Sequence, residues 1–248
     1  MANIETIAVV QARSSSSRLP GKVLLELAGA PVIVGILNRV SLCTDVDKVI
    51  LATSDDSSDD QLASRVQEAG FEVVRGPLDD VLGRFEKALE IYPAQYCIRI
   101  TGDCPFIDPD WISRVLAKHK MMDAEYSSNA LNPSLPDGLD CEVINVDTLK
   151  TVANLANESI DREHVTHYIY THPEDFRICS VTNDVDHSSI RITLDNPQDW
   201  RVIQRIVQEV DMDYLSIRLK EILDFLAKNP EVLAINAEIK RNEGLKVN

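Results

Sequence analysis

The chain has no run of about 18 apolar residues, the length a membrane-spanning helix needs, so no membrane role is expected. Its first residues, Met1 to Ala8, show no basic start followed by a long apolar stretch, which argues against secretion. Cys43, Cys97, Cys104, Cys141 and Cys179 are odd in number, widely scattered and without a C-x-x-C pair. That excludes a structural zinc site and a disulfide framework, and reads as the reduced thiols of a cytoplasmic protein. Basic residues are scarce: 25 Lys and Arg against 40 Asp and Glu leave a formal net charge of −15. Such a surface repels phosphate backbones, so no nucleic acid partner is expected. Repeats and low-complexity linkers are also absent. What remains is 248 residues with 44% hydrophobic content, enough for a single domain, 1–248, with one substantial core.

Short apolar runs alternate with helical spacing through the first half. Thr6–Val10, Lys48–Thr53, Phe71–Arg75 and Tyr96–Thr101 read as strands, and Pro31–Cys43, Ser57–Ala69 and Asp79–Tyr92 as helices. Pro31 suits a first helical position. This alternation predicts an α/β fold: a Rossmann-like, three-layer α/β/α arrangement with a mostly parallel sheet. Beyond Met122 the pattern changes. Asn129–Gly138 reads as a loop, Leu139–Val146, Arg177–Thr182 and Ser189–Leu194 as strands, and Ser159–Tyr170 as a helix. Residues 125–172 are expected to form an inserted lobe and 197–248 a set of C-terminal helices, with Leu215–Ala227 the clearest amphipathic stretch.

In such sheets ligands bind beyond the carboxyl ends of the strands. After the first strand comes Gln11-Ala12-Arg13-Ser14-Ser15-Ser16-Ser17-Arg18-Leu19-Pro20-Gly21-Lys22. Arg13, Arg18 and Lys22 gather there against the acidic trend, and four serines and a glycine supply exposed backbone N–H groups. Backbone donors cradle phosphate oxygens while Arg and Lys neutralise charge, so a polyphosphate suits the loop. The alternative is a merely solvated surface loop. Neither GxxxxGK[ST] nor GxGxxG is present.

Asp103 closes the fourth strand beside Gly102, where a ligand can approach closely, and Asp195 directly follows the strand expected at Ser189–Leu194. Two carboxylates meeting over a phosphate loop make a hard oxygen site for Mg²⁺. The alternatives are a turn-forming Asp103 and an N-capping Asp195. Asp108, before Pro109, and Asp199 fit capping better than a metal. His164 and His167 share a helix face, but with no HExxH and no third ligand zinc is not supported.

QARSSSSRLPGK, TGDCPFID and LDNPQD together resemble the cytidylyltransferases that activate 2-keto sugar acids, the acylneuraminate and 3-deoxy-manno-octulosonate enzymes among them. RGPLDDVLGRF, PDGLDCEVI and REHVTHYI bring the chain nearest the spore-coat polysaccharide branch, and the likeness spans Ile7 to Trp200. The resemblance implies a nucleotidyltransferase of GT-A-like fold that uses CTP, Mg²⁺ and a small sugar, with a homodimer built through the lobe. Arg13 and Lys22 would bind the triphosphate, with Arg18 and Ser14 assisting; Arg13, Lys22 and Asp103 would be catalytic. Asp103 and Asp195 would hold Mg²⁺. Ala12, Thr53, Arg75 and Thr101 fall where base and ribose contacts lie, although the octulosonate enzymes carry Gln at Thr101 and Glu at Cys104. Asp137, Asp140 and Glu142 would meet the sugar. Arg162 and His164 would contact its carboxylate or hydroxyls, or else serve structure or the dimer interface. The acidic PDGLDCE segment is an awkward neighbour for an anionic sugar unless Arg or Lys intervenes, and suits a hydroxyl-bearing face. The reaction implied is attack of a sugar hydroxyl, the anomeric one, on the α-phosphorus of CTP, with pyrophosphate leaving. Three alternatives stay open: another nucleotide or acceptor, a catalytically silent regulatory subunit, or a sugar-nucleotide-dependent glycosyltransferase. The last would want a DxD motif where this chain has Asp103-Cys104-Pro105.

Overall fold

Strand β1 (Thr6–Gln11) lies near the middle of the sheet and is apolar on both faces, because helices cover both. The computed structural model describes residues 4–241. A two-residue hairpin, β2 (Glu26–Leu27) and β3 (Ala30–Pro31), leads into α1 (Val32–Ser41). Then follow β4 (Lys48–Ser54), α2 (Asp60–Glu68), β5 (Glu72–Gly76), α3 (Val81–Ile91), β6 (Tyr96–Thr101) and α4 (Pro109–Met121). The remainder is β7 (Tyr126–Ser128), β8 (Glu142–Asn145), α5 (Val146–Leu155), α6 (Ser159–His164), α7 (His167–Thr171), β9 (Ile178–Ser180), α8 (Pro197–Glu209), α9 (Leu219–Lys228) and α10 (Pro230–Leu233).

Seven strands form one sheet in the order β5-β4-β1-β6-β8-β7-β9. β1 pairs in parallel with β4 and β6, and β4 with β5; β8 runs antiparallel to β6 and β7. Ala8, Val10, Leu51 and Ile98 face α1, α4 and the C-terminal helices, while Ile7, Val9, Ile50 and Cys97 face α3 and α5. The mostly parallel, three-layer arrangement expected from strand–helix alternation is therefore present.

Three local expectations change. Ser189–Leu194 is not a strand: it makes a single bridge, Asp137 to Arg191. Its hydrogen bonds are divided, Ile192 N–H donating to the Asp137 carbonyl and Leu194 N–H to the Asp103 carbonyl, so no ladder can propagate. Ser159–Tyr170 is not one helix. Val165 adopts φ 53°, ψ −55°, and Thr166 N–H reaches back to the His164 carbonyl at 2.5 Å, a strained γ-turn that splits α6 from α7. Residues 125–172 contribute β7 and β8 to the main sheet and α5 to α7 to one of its faces. The C-terminal stretch is helical from Pro197, its last residues, 242–248, lying outside the described part.

α1 is tied to the C-terminal part by Arg39. Its fully buried guanidinium donates to the carbonyls of Ile107 at 2.9 Å, Tyr214 at 2.6 Å and Ile217 at 2.6 Å. Buried polar groups need such partners to be tolerated.

Candidate active site

The ends of β1 and β6 meet at Gly102. Its N–H donates to the Gln11 carbonyl at 2.8 Å, and a Cβ there would stand 2.7 Å from the Ala12 Cβ. Only glycine allows this approach, which brings the cationic loop after β1 and Asp103 to one edge of the sheet. Gly102→Ala is expected to cost about 1–3 kcal/mol, the range for overpacking a close contact, and urea denaturation would measure it.

Asp59 holds the start of the loop. Its fully buried carboxylate accepts from the Ser14 N–H at 2.6 Å, the Ser54 N–H at 3.3 Å and the Ser54 hydroxyl. Burial alone would raise this carboxyl, but these donors overcome it and hold it below its ordinary value. The Thr53 side chain is buried beside it. Arg75, expected near base and ribose, donates to the carbonyls of Ser54 at 2.8 Å and Asp56 at 2.9 Å and pairs with Asp60 at 2.7 Å. It therefore braces the turn after β4.

The loop's far end delivers the central feature. The Lys22 ammonium lies 2.8 Å from Asp195 Oδ1 and 3.7 Å from Asp103 Oδ2. Arg18 pairs with the other Asp195 oxygen. Burial would raise the Asp103 carboxyl, yet Lys22 and the Thr101 hydroxyl bring it below its ordinary value, so it is ionised. Arg13 stands apart from this pair of carboxylates and meets Glu163 of α6 at 3.3 Å. Asp195 does not cap α8. The cap is Asn196, ahead of Pro197, with its N–H donating to Asp199 at 2.9 Å, while Asp108 caps α4.

Behind Asp195 runs a line of alternating charges. Arg191 donates to both oxygens of the fully buried Asp199 at 2.9 Å each and to Asp137 at 2.6 Å. Asp199 in turn accepts the Asp195 N–H at 3.0 Å, which fixes how Asp195 is presented. Asp137 and Asp140 flank Gly138, packed so closely on Thr193 that a Cβ would lie 2.5 Å from its nitrogen. Thr193 donates its hydroxyl to the Asp103 carbonyl at 2.9 Å, so this acidic turn stands one chain segment away from Asp103.

Glu142 has little left for a sugar. Its oxygens accept from Arg99, from the Tyr126 hydroxyl and from the Thr166 hydroxyl at 2.7 Å, which also explains the break at Val165. Arg162 is similarly spent: it grips both oxygens of Asp80 at 2.8 and 2.7 Å and touches Glu86 at 3.1 Å, binding α6 to α3. His164 is half-buried, and burial lowers its ring below its ordinary value, with Glu163 pulling the other way.

Arg84, Asp59, Arg191 and Arg241 escaped sequence reasoning, whereas Asp199 completes the α8 cap as its position suggested. Arg84 lay inside RGPLDDVLGRF and offered the one usable signal, a cation in an acidic chain. Its side chain is 2% exposed, its Nε has no partner, and its one other bond, to the Leu78 carbonyl, is long at 3.4 Å. Burial lowers it, and Arg13 adds to that.

Comparison with known proteins identifies the family and the fold. A family model described as cytidylyltransferase matches residues 7–239. The spore coat polysaccharide biosynthesis protein SpsF of Bacillus subtilis (strain 168) is 32% identical over 230 residues, covering 90% of this chain and 94% of its own. A 3-deoxy-manno-octulosonate cytidylyltransferase of Cytophaga hutchinsonii is 30% identical over 163 residues, 64% of this chain and 61% of its own. Among solved structures, a cytidylyltransferase from Leptospira borgpetersenii superposes with a TM-score of 0.88 over 93% of this chain and 97% of that one, at 23% identity, a likeness of fold. Matched along almost its whole described length, the chain belongs to the cytidylyltransferase family and is by reaction class a nucleotidyltransferase.

Proposed function

We propose that the enzyme transfers CMP from CTP to a hydroxyl of a sugar acid, releasing pyrophosphate, in the building of a surface polysaccharide or glycan. The observation that carries this is the Lys22 ammonium standing between the Asp103 and Asp195 carboxylates at the end of a serine-rich, cationic loop. The relatives' names, a spore coat polysaccharide biosynthesis protein and a 3-deoxy-manno-octulosonate cytidylyltransferase, support the acceptor class.

In the free protein each loop cation rests on a carboxylate: Arg13 on Glu163, Arg18 on Asp195, Lys22 on Asp195 and Asp103. A triphosphate exchanges for these partners. Arg13, Arg18 and Lys22 then take up its charge, Lys22 and Arg13 stabilising the pyrophosphate as it leaves, while the loop's N–H groups orient the oxygens. Arg84, beside Arg13 with a donor unused, adds a further cation to the nucleotide side.

Mg²⁺ fits the donors present, because two hard carboxylates converge on a point already taken by a cation, Lys22. Asp103 and Asp195 would hold it. When bound, it would neutralise charge on the α-phosphate. No helix among the described residues is long and apolar enough to cross a membrane.

The test is a matrix of the four ribonucleoside triphosphates against 2-keto sugar acids and neutral and amino sugars, read by pyrophosphate release. CTP with a sugar acid is expected to give the fastest release. Preference for another triphosphate, or for a neutral sugar, overturns the specificity; a nucleoside diphosphate as product overturns the reaction.

A further inference from the structure

The C-terminal tail enters the acidic side of the site. Asn236, 4% exposed, donates through Nδ2 to Asp199 Oδ1 at 2.9 Å and to the Arg191 carbonyl at 3.1 Å. Five residues on, Arg241 binds Asp140 Oδ1 through Nη2 and the Leu135 carbonyl through Nη1 at 3.3 Å, with Nε 3.9 Å from Asp137. The tail thus ends a continuous sequence of opposite charges: Lys22 with Asp195, Asp195 with Arg191 at 3.9 Å, Arg191 with Asp137, Asp137 with Arg241, Arg241 with Asp140.

The last pair is asymmetric. The Arg241 side chain is 17% exposed and that of Asp140 32%. The cation is the more deeply covered partner, and the carboxyl is part-buried with one edge exposed. Asp140 Oδ2 has no hydrogen-bond partner among the described residues, and a free carboxyl oxygen is a natural acceptor for sugar hydroxyls. We propose that Arg241 is a positioning residue for the acceptor: it clamps the Pro136–Asp140 turn so that Asp140 presents its free oxygen to an acceptor hydroxyl. This rests on the sugar-transfer reading above.

The electrostatics agree. Burial pushes the Asp140 carboxyl up to about 7, Asp137, Asp103 and Glu142 press it the same way, and Arg241 is what pulls it back. Without Arg241 the carboxylate loses both its clamp and its counter-charge. This also answers how an acidic turn coexists with an anionic sugar: Arg191 and Arg241 sit inside it.

Steady-state kinetics at saturating CTP, with the acceptor varied, test the proposal. Arg241→Ala is expected to raise the acceptor KM about tenfold or more, the order of one charge-assisted hydrogen bond, while the CTP KM stays within about twofold. Arg241→Lys recovers most of the loss. Asp140→Asn raises the acceptor KM similarly, and the double variant is no worse than either, since one residue acts through the other. Equal damage to both KM values, no rescue by lysine, or additive effects would overturn it. A readout independent of turnover is the ¹³C titration of the Asp140 carboxyl, which moves upward in Arg241→Ala if the clamp acts there. An unmoved midpoint refutes the clamp. A moved midpoint in an enzyme that turns over no sugar refutes the acceptor reading instead.

Discussion

Lys22→Met lowers kcat/KM for CTP by about 10²- to 10³-fold, the range for losing one preorganised charge aimed at a transition state. Among the described residues, Lys22 is the single side chain that reaches both Asp103 and Asp195, at 3.7 and 2.8 Å. Removing it deletes a cation from the leaving-group side and leaves two carboxylates facing one another. Lys22→Arg recovers only part, because a planar fork does not replace a compact ammonium between two acids. The fold should survive, since the Lys22 side chain retains some exposure and its pairs are not part of the core. Pyrophosphate release measures the loss, and circular dichroism melts verify folding. Turnover within about threefold of the parent would remove Lys22 from the chemistry.

Arg191→Met produces the largest loss of stability, roughly 3–5 kcal/mol at neutral pH, because it strands a buried carboxylate. Arg191 is 8% exposed and grips Asp199, which is fully buried. Burial would raise the Asp199 carboxyl, but Arg191 and Asn236 bring it below its ordinary value. A carboxyl lowered in the folded state contributes stability above its unfolded value, about 3.9, and that stability disappears as pH falls through the lower, folded value. The parent should therefore lose this contribution in acid, whereas the variant never has it. Urea denaturation at neutral pH and below about pH 4 should show the two curves converging on acidification. A gap that stays constant with pH would show that the charge pair is not its origin. Catalysis should fall as well, because Asp199 also orients the Asp195 N–H.

β1 and β6 were legible to within a residue because covered faces write short, mainly apolar runs into the chain, interrupted in β6 only by Arg99. The cationic loop and Asp103 were legible for a related reason: cations, serines and a glycine next to a strand end are a local pattern. β9 falls inside the strand expected at Arg177–Thr182, whereas β7, three residues long, carries too little pattern to stand out. Ser189–Leu194 reads like a strand, but its neighbours at Asp137 and Asp103 share its hydrogen bonds between them. The helix expected through Val165 breaks because Thr166 is drawn to Glu142, 24 residues away in sequence.

The chain by itself determined the α/β class and the positions of the cationic, serine-rich loop and of Asp103 at strand ends, since each depends on residues adjacent in sequence. Only the tertiary structure decided which charges meet. Arg191 and Asp137 are 54 positions apart, Arg241 and Asp140 101, and Lys22 and Asp195 173. A charge acquires its role from whatever the packing sets beside it. Thus Arg75 and Arg162 became braces, and Arg241, in a tail without a motif, came to rest among the acids of the site.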